Sequence, residues 1–151
     1  MLALPDRVVD TPLSDRCMVG VVATVAARRG CEQLGISYVT GTVRGPAGKQ
    51  EAVEFLIDSG AMYSLLPEPV WQAIGLVADR EMDFSLADGT KVTRSVSECH
   101  LTLPQGAAHT PVILGKPGDD QPLLGVVALE NLGLVFDPFR RVLHPMRALL
   151  I

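Results

Sequence analysis

The residues with the clearest chemical potential are Asp58-Ser59-Gly60-Ala61, placed directly after the apolar run Phe55-Leu56-Ile57. The chemistry such a carboxylate could do is proton transfer, with a glycine beside it that lets another backbone approach. An Asp-Ser-Gly triplet by itself arises by chance in about one chain in thirty of this length, and it can simply be an Asx turn that closes a strand. A carboxylate at the end of an apolar strand is nevertheless a costly arrangement for a turn alone. Other candidates read as structure. Cys99 abuts His100, but neighbours on a strand point to opposite faces and form no dyad or chelate. His109 and His144 have no metal-spaced partners and read as surface residues, so no metal or other cofactor is expected.

The elements that must position Asp58 are strands and turns. Residues 1–34 carry no strong periodic pattern and form an N-terminal extension, with Arg28-Arg29-Gly30 marking the boundary. From Gly35 onward, Ile36–Thr40 alternates, Thr42-Val43-Arg44 continues the strand, and Gly45-Pro46-Ala47-Gly48 signals a turn into Val53–Ile57. The last three residues of that strand are all apolar, which predicts burial on both faces. Pro67–Gly75 predicts a short helix with Val70, Trp71 and Ile74 on one face and Gly75 as its stop. Trp71 belongs to the core.

Met82–Leu86 and Lys91–Val96 flank Ala87-Asp88-Gly89-Thr90, the clearest hairpin in the chain, with Asp88 a solvated turn residue. Further short strands follow at His100–Leu103 and Pro111–Leu114. A polar loop at 116–122 leads to Leu123-Leu124-Gly125, a helical turn from Val126 to Leu132, and a strand at Leu134–Asp137. Short strands with one or two brief helices make an all-β fold.

Composition narrows the function. The chain has 151 residues, 48% hydrophobic, enough for a single domain. Thirteen basic against 17 acidic residues give a net charge of −4, so no basic surplus is available for nucleic acid. The longest charge-free apolar run, Cys17 to Ala27, falls short of the ~20 residues a membrane helix needs. Asp6, Asp10 and Asp15 spoil a secretory leader. Cys17, Cys31 and Cys99 form no C-x-x-C pair, and their odd count favours a reducing compartment. Cytoplasmic location is the expectation.

From Gly35 to about Pro145 the chain resembles the retroviral-type (retropepsin-like) aspartic proteases, bacterial members in particular. Leu56-Ile57-Asp58-Ser59-Gly60-Ala61 matches the family's signature, with serine in place of the commoner threonine. Ser64-Leu65-Leu66-Pro67 and the helix ending Gly75-Leu76 look like the segment that follows it. Phe84-Ser85-Leu86 and Lys91-Val92-Thr93 look like the arms of the family's flap, with Ala87, Asp88, Gly89 and Thr90 at its tip. Leu123-Leu124-Gly125 resembles the second motif, an apolar pair and glycine packed beneath the aspartate loop. Four matches in the right order make a specific resemblance.

The resemblance implies a small closed acid-protease barrel over residues 35–151 and hydrolysis of peptide bonds by two carboxylates that share one proton. Only one Asp-Ser-Gly is present, and Asp119-Asp120 lies in a polar loop. The second carboxylate would then be Asp58 of another copy across a two-fold axis. Ser59 would hold the two loops together across that axis, Gly60 would bring its N–H to the carboxylate, and the flap would close over an extended peptide. Viral members carry an arginine after the second-motif glycine, where this chain has Val126. Expected partners are a peptide or protein substrate and a second copy of the chain. Two other readings remain open: a non-catalytic peptide-binding or regulatory module, and a small-ligand β-barrel with a roomy interior.

Overall fold

Alternation decides the first hairpin. In β1 (Tyr38–Arg44), Val39, Gly41 and Val43 are buried, and in β2 (Gln50–Ile57) Val53, Phe55 and Ile57 are buried. The strands pair antiparallel from Tyr38↔Leu56 to Arg44↔Gln50, around the Gly45–Gly48 turn. Leu56 lies on the opposite face and is half-buried, so the expected two-sided burial is only partly met. The computed structural model describes residues 36–147; the N-terminal extension, Cys17, Cys31 and the last four residues lie outside them.

After Asp58 the chain runs through β3 (Ser64–Leu66), α1 (Glu68–Ala73), β4 (Arg80–Ser85), β5 (Lys91–Leu103), β6 (Gly106–Leu114), β7 (Leu123–Leu124), α2 (Val126–Asn131), β8 (Leu134–Asp137) and β9 (Val142–Pro145). Seven strands form one sheet in the order β1-β2-β7-β3-β6-β5-β4. A further pairing of β1 with β5 closes six of them into a ring and leaves β4 outside. β8 and β9 form a separate antiparallel pair. The protein is all-β, as expected, with two short helices.

Val43, Phe55, Leu66, Leu101 and Leu124 fill the ring's interior at 1% exposure or less. That packing contradicts the roomy interior a small-ligand barrel would need. α1 ends as expected: Gly75 N–H donates to the Gln72 carbonyl and Leu76 N–H to that of Trp71, which satisfies the last turn. Ile74 is fully buried, and Val70 and Trp71 pack against the core. The Trp71 indole N–H donates to the Gly115 carbonyl at 2.9 Å. Among the described residues no helix is long and apolar enough to cross a membrane.

Several strands differ from expectation, and β3 and β9 were not expected at all. β5 is one strand of 13 residues where two were expected; its inward face shifts from Val92, Arg94 and Val96 to Ser97, Cys99, Leu101 and Leu103, with Val96 and Ser97 both buried. β6 begins at Gly106, well before Pro111. β7 is a strand of two residues that carries no pattern of its own.

The outer face of the ring carries a row of basic and titratable groups. Arg44 of β1 lies opposite His100 of β5, which in turn lies opposite His109 of β6, with the two imidazoles 5.0 Å apart edge to face. Glu98 and Asp79 line the same cleft. Burial, and then Arg44 and His109, hold the His100 imidazole below its ordinary value of about 6.5. A folded value below the unfolded one means full stability above the ordinary value and a loss as pH falls through it. Thermal unfolding should therefore show Tm falling between about pH 7.5 and 5.5, and part of that fall should vanish in His100→Gln.

Candidate active site

Asp58 is carried to its position by the end of β2 and held there by three hydrogen bonds. Its N–H donates to the Leu124 carbonyl at 3.0 Å, its carbonyl accepts from Ala61 N–H at 3.2 Å, and carboxylate Oδ1 accepts from Gly60 N–H at 2.9 Å. The loop thus fixes the carboxylate by local backbone donors, as the glycine's place in the motif suggests. Asp58 is half-buried and Ser59 and Gly60 are exposed, so this edge faces solvent.

The floor under the loop is the Leu123-Leu124-Gly125 segment. β7 lies between β2 and β3, parallel to the first through Leu56↔Leu123 and Ile57↔Leu124, and antiparallel to the second through Leu65↔Leu123. The Asp58 loop spans the gap that β7 fills. Gly125 N–H donates to Ser64 Oγ at 3.1 Å in the interior. Val126 and Val127, at the start of α2, donate to the Ala61 and Met62 carbonyls at 2.9 and 3.1 Å. These donors have no partner within a helix's first turn, so the active-site loop supplies their acceptors.

Gly125 is required by space. Its φ of −88° and ψ of 171° suit any residue, but a Cβ there would lie 2.5 Å from the Tyr63 carbonyl carbon and 2.7 Å from its oxygen. Backbone atoms cannot swing aside as a side chain can.

The flap candidate is the β4–β5 hairpin. Phe84↔Val92 and Ser85↔Lys91 close its stem, and the tip forms by Leu86 N–H to Thr90 O at 2.8 Å and Gly89 N–H to Leu86 O at 2.9 Å. Gly89 has φ 84°, a conformation that favours glycine. Asp88 Oδ1 accepts from Thr90 N–H at 2.8 Å, and that bond holds the Asp88 carboxyl below its ordinary range. Ala87, Asp88, Gly89 and Thr90 are all exposed. Asp88 is a turn residue.

One residue that the motifs did not single out, Tyr63, joins the β4–β5 hairpin to the site. The Tyr63 ring, just past the Asp58 loop, meets Phe84 of β4 edge to face with centroids 6.0 Å apart. Met62 beside it is 60% exposed. The aromatic types were visible in the sequence, but their separation along the chain hid the contact.

The remaining candidates stand apart. Burial pushes the Cys99 thiol up to about 12, far from a thiolate at neutral pH, and His100 points to the opposite face. His144 Nε2 lies 3.9 Å from Asp137 Oδ2 in the β8–β9 hairpin. Asp119 Oδ2 accepts from Lys116 N–H at 2.9 Å and faces Arg94 Nη2 at 3.5 Å. Two clefts, of about 380 and 460 Å³, are lined by Arg44, Glu98 and His100 and by Trp71, Val77 and Lys116 respectively; Asp58 lines neither.

Gly125→Ala should therefore lower stability by at least about 2 kcal/mol, a Tm loss of roughly 6–10 °C for a domain of this size, measurable by scanning calorimetry.

Among curated proteins none matches the chain. A family model described as aspartyl protease matches residues 39–127, from β1 through the Asp58 loop and flap to the start of α2. The match spans more than half of the chain and includes both motifs that build the Asp58 loop and its floor; the chain belongs to the retropepsin-like aspartyl protease family.

Proposed function

We propose that the chain is an aspartic endopeptidase that works as a homodimer, with Asp58 of each subunit forming one catalytic pair. The placement of Asp58 carries this assignment: a single carboxylate on an exposed edge, held rigidly by Gly60 and by the floor strand. Asp88 is engaged by its own turn and Asp119 by Lys116 and Arg94, which makes neither a natural partner for Asp58. A second Asp58 across a two-fold axis supplies the missing group, because an isologous contact sets a residue near the axis opposite itself.

Like charges at hydrogen-bonding distance share one proton. The ionised carboxylate takes a proton from water as the water oxygen attacks the scissile carbonyl carbon. The protonated carboxyl hydrogen-bonds the carbonyl oxygen as charge develops there. Collapse of the tetrahedral species breaks the C–N bond, and the departing amine takes up a proton. Exposed Ser59 is free to bridge the two loops across the axis. The flap tip would lie over an extended peptide, its backbone giving affinity and side-chain pockets giving selectivity.

The other reading keeps the scaffold as a non-catalytic peptide-binding or regulatory module in which two aspartates never align. Sedimentation separates the two readings, since a strict monomer at high concentration cannot assemble the pair. Asp58→Asn should abolish peptide cleavage, at least a thousandfold on the order of magnitude lost when a catalytic group is removed, while Tm stays within a degree or two of wild type. Undiminished cleavage by that variant would rule out the mechanism.

A further inference from the structure

Alternation along the flap stem places one residue against its own pattern. Met82 and Phe84 of β4 and Val92 and Arg94 of β5 share the half-buried face, while Glu81, Asp83, Ser85, Lys91 and Thr93 are exposed. Three of the four inward residues are apolar and the fourth is a guanidinium. A cation on an inward face has to be met by an opposite charge. Asp119 meets it, with Oδ2 3.5 Å from Arg94 Nη2, and the two side chains are 24% and 27% exposed.

Asp119 belongs to the loop between β6 and β7, and that loop is anchored at both ends. Gly115 N–H donates to the Leu66 carbonyl at 2.8 Å, and Leu56 N–H donates to the Pro122 carbonyl at 2.9 Å, two residues before Asp58. The same Asp119 oxygen accepts from Lys116 N–H at 2.9 Å, so the carboxylate is fixed before the arginine reaches it. β5 continues from the stem into the ring, and two side-chain contacts tie the stem to the body beside it: Tyr63 with Phe84, and Asp119 with Arg94.

We propose that Arg94 and Asp119 are positioning residues, an ionic latch that holds the flap stem in its closed register above the Asp58 loop. The functional consequence rests on the endopeptidase reading; the mechanical one does not. A flap must open to admit an extended peptide and close over it. A half-exposed ion pair suits that duty because breaking it costs little, whereas a continuous apolar contact would hold the stem shut. Salt should weaken the latch, since exposed pairs are screened.

The test uses the full chain with Arg94→Gln, Asp119→Asn, the double variant, and the charge swap Arg94→Asp with Asp119→Arg. Asn at 119 keeps an oxygen for the Lys116 N–H, so the loop turn survives. Hydrogen–deuterium exchange of the flap amides 84–93 should quicken roughly two- to fivefold in either single variant, as a pair of this exposure allows. Exchange at Leu101 and Val112 in the ring should not change. The double variant should be no faster than the singles, and the charge swap should restore part of the protection. With a pool of quenched fluorescent decapeptides, KM should rise by a similar factor while kcat holds. Flap exchange equal to wild type, equal acceleration in the ring, or additive single effects would each overturn the latch. A wild-type chain that cleaves none of the pool would overturn the endopeptidase reading instead, and exchange would still decide the latch.

Discussion

Everything around Asp58 depends on one insertion: two residues from far downstream occupy the gap between the strands that the Asp58 loop joins. Leu123 pairs with Leu56 on one side and Leu65 on the other, and Leu124 accepts the Asp58 N–H. A two-residue strand has no stability of its own. Its place is secured by burial of Leu124, which is fully enclosed and contributes on the order of 2 kcal/mol, and by the close approach of Gly125 to Tyr63. The loop and its floor thus depend on each other's contacts. The Ser64 hydroxyl to Gly125 N–H and the Ala61 and Met62 carbonyls to the start of α2 complete the contact without leaving a buried backbone donor stranded.

That rigidity matters because of what a single chain holds. One carboxylate performs no shared-proton chemistry, and productive geometry for a pair tolerates errors of only about half an ångström. In a two-fold arrangement any displacement of the loop is doubled across the axis. A loop held by hydrogen bonds to both flanking strands and by a glycine with no room to spare meets that demand. The surrounding residues, exposed Ser59 and Met62 among them, leave the edge open to a second surface.

Much of this was legible in the residues. The Asp-Ser-Gly loop, the β4–β5 hairpin with its Asp-Gly tip, both helices and the Gly75 stop of the first are local features, and local chemistry determines them. The strands β3 and β7 were not legible as strands, since three and two residues show no period. β5 hid its continuity behind Ser95 to Glu98, where Val96 and Ser97 are both buried and the alternation shifts by one residue. Contacts that join distant segments, Tyr63 with Phe84 and Arg94 with Asp119, follow from closure of the ring, and no spacing along the chain announces them. The N-terminal extension, Cys17 and Cys31 lie outside the described residues.

The two sides of the Asp58 loop are held by interactions of different strength, and the difference fits what the proposed function asks of each. Below Asp58, backbone hydrogen bonds and a contact that excludes even one Cβ give a single arrangement, since any alternative strands polar groups or forces atoms together. Above it, β5 carries the hairpin out of the ring, and the side-chain contacts that tie the stem to the body are an edge-to-face ring pair and a half-exposed ion pair, each worth about 1 kcal/mol. Contacts of that size break at little cost, whereas breaking the floor would strand several backbone hydrogen-bonding groups. On the proposed dimeric reading, a floor as loosely held as the hairpin would lose the alignment of two carboxylates. On the proposed endopeptidase reading, a hairpin as rigid as the floor would exclude the extended chain that has to enter beneath it.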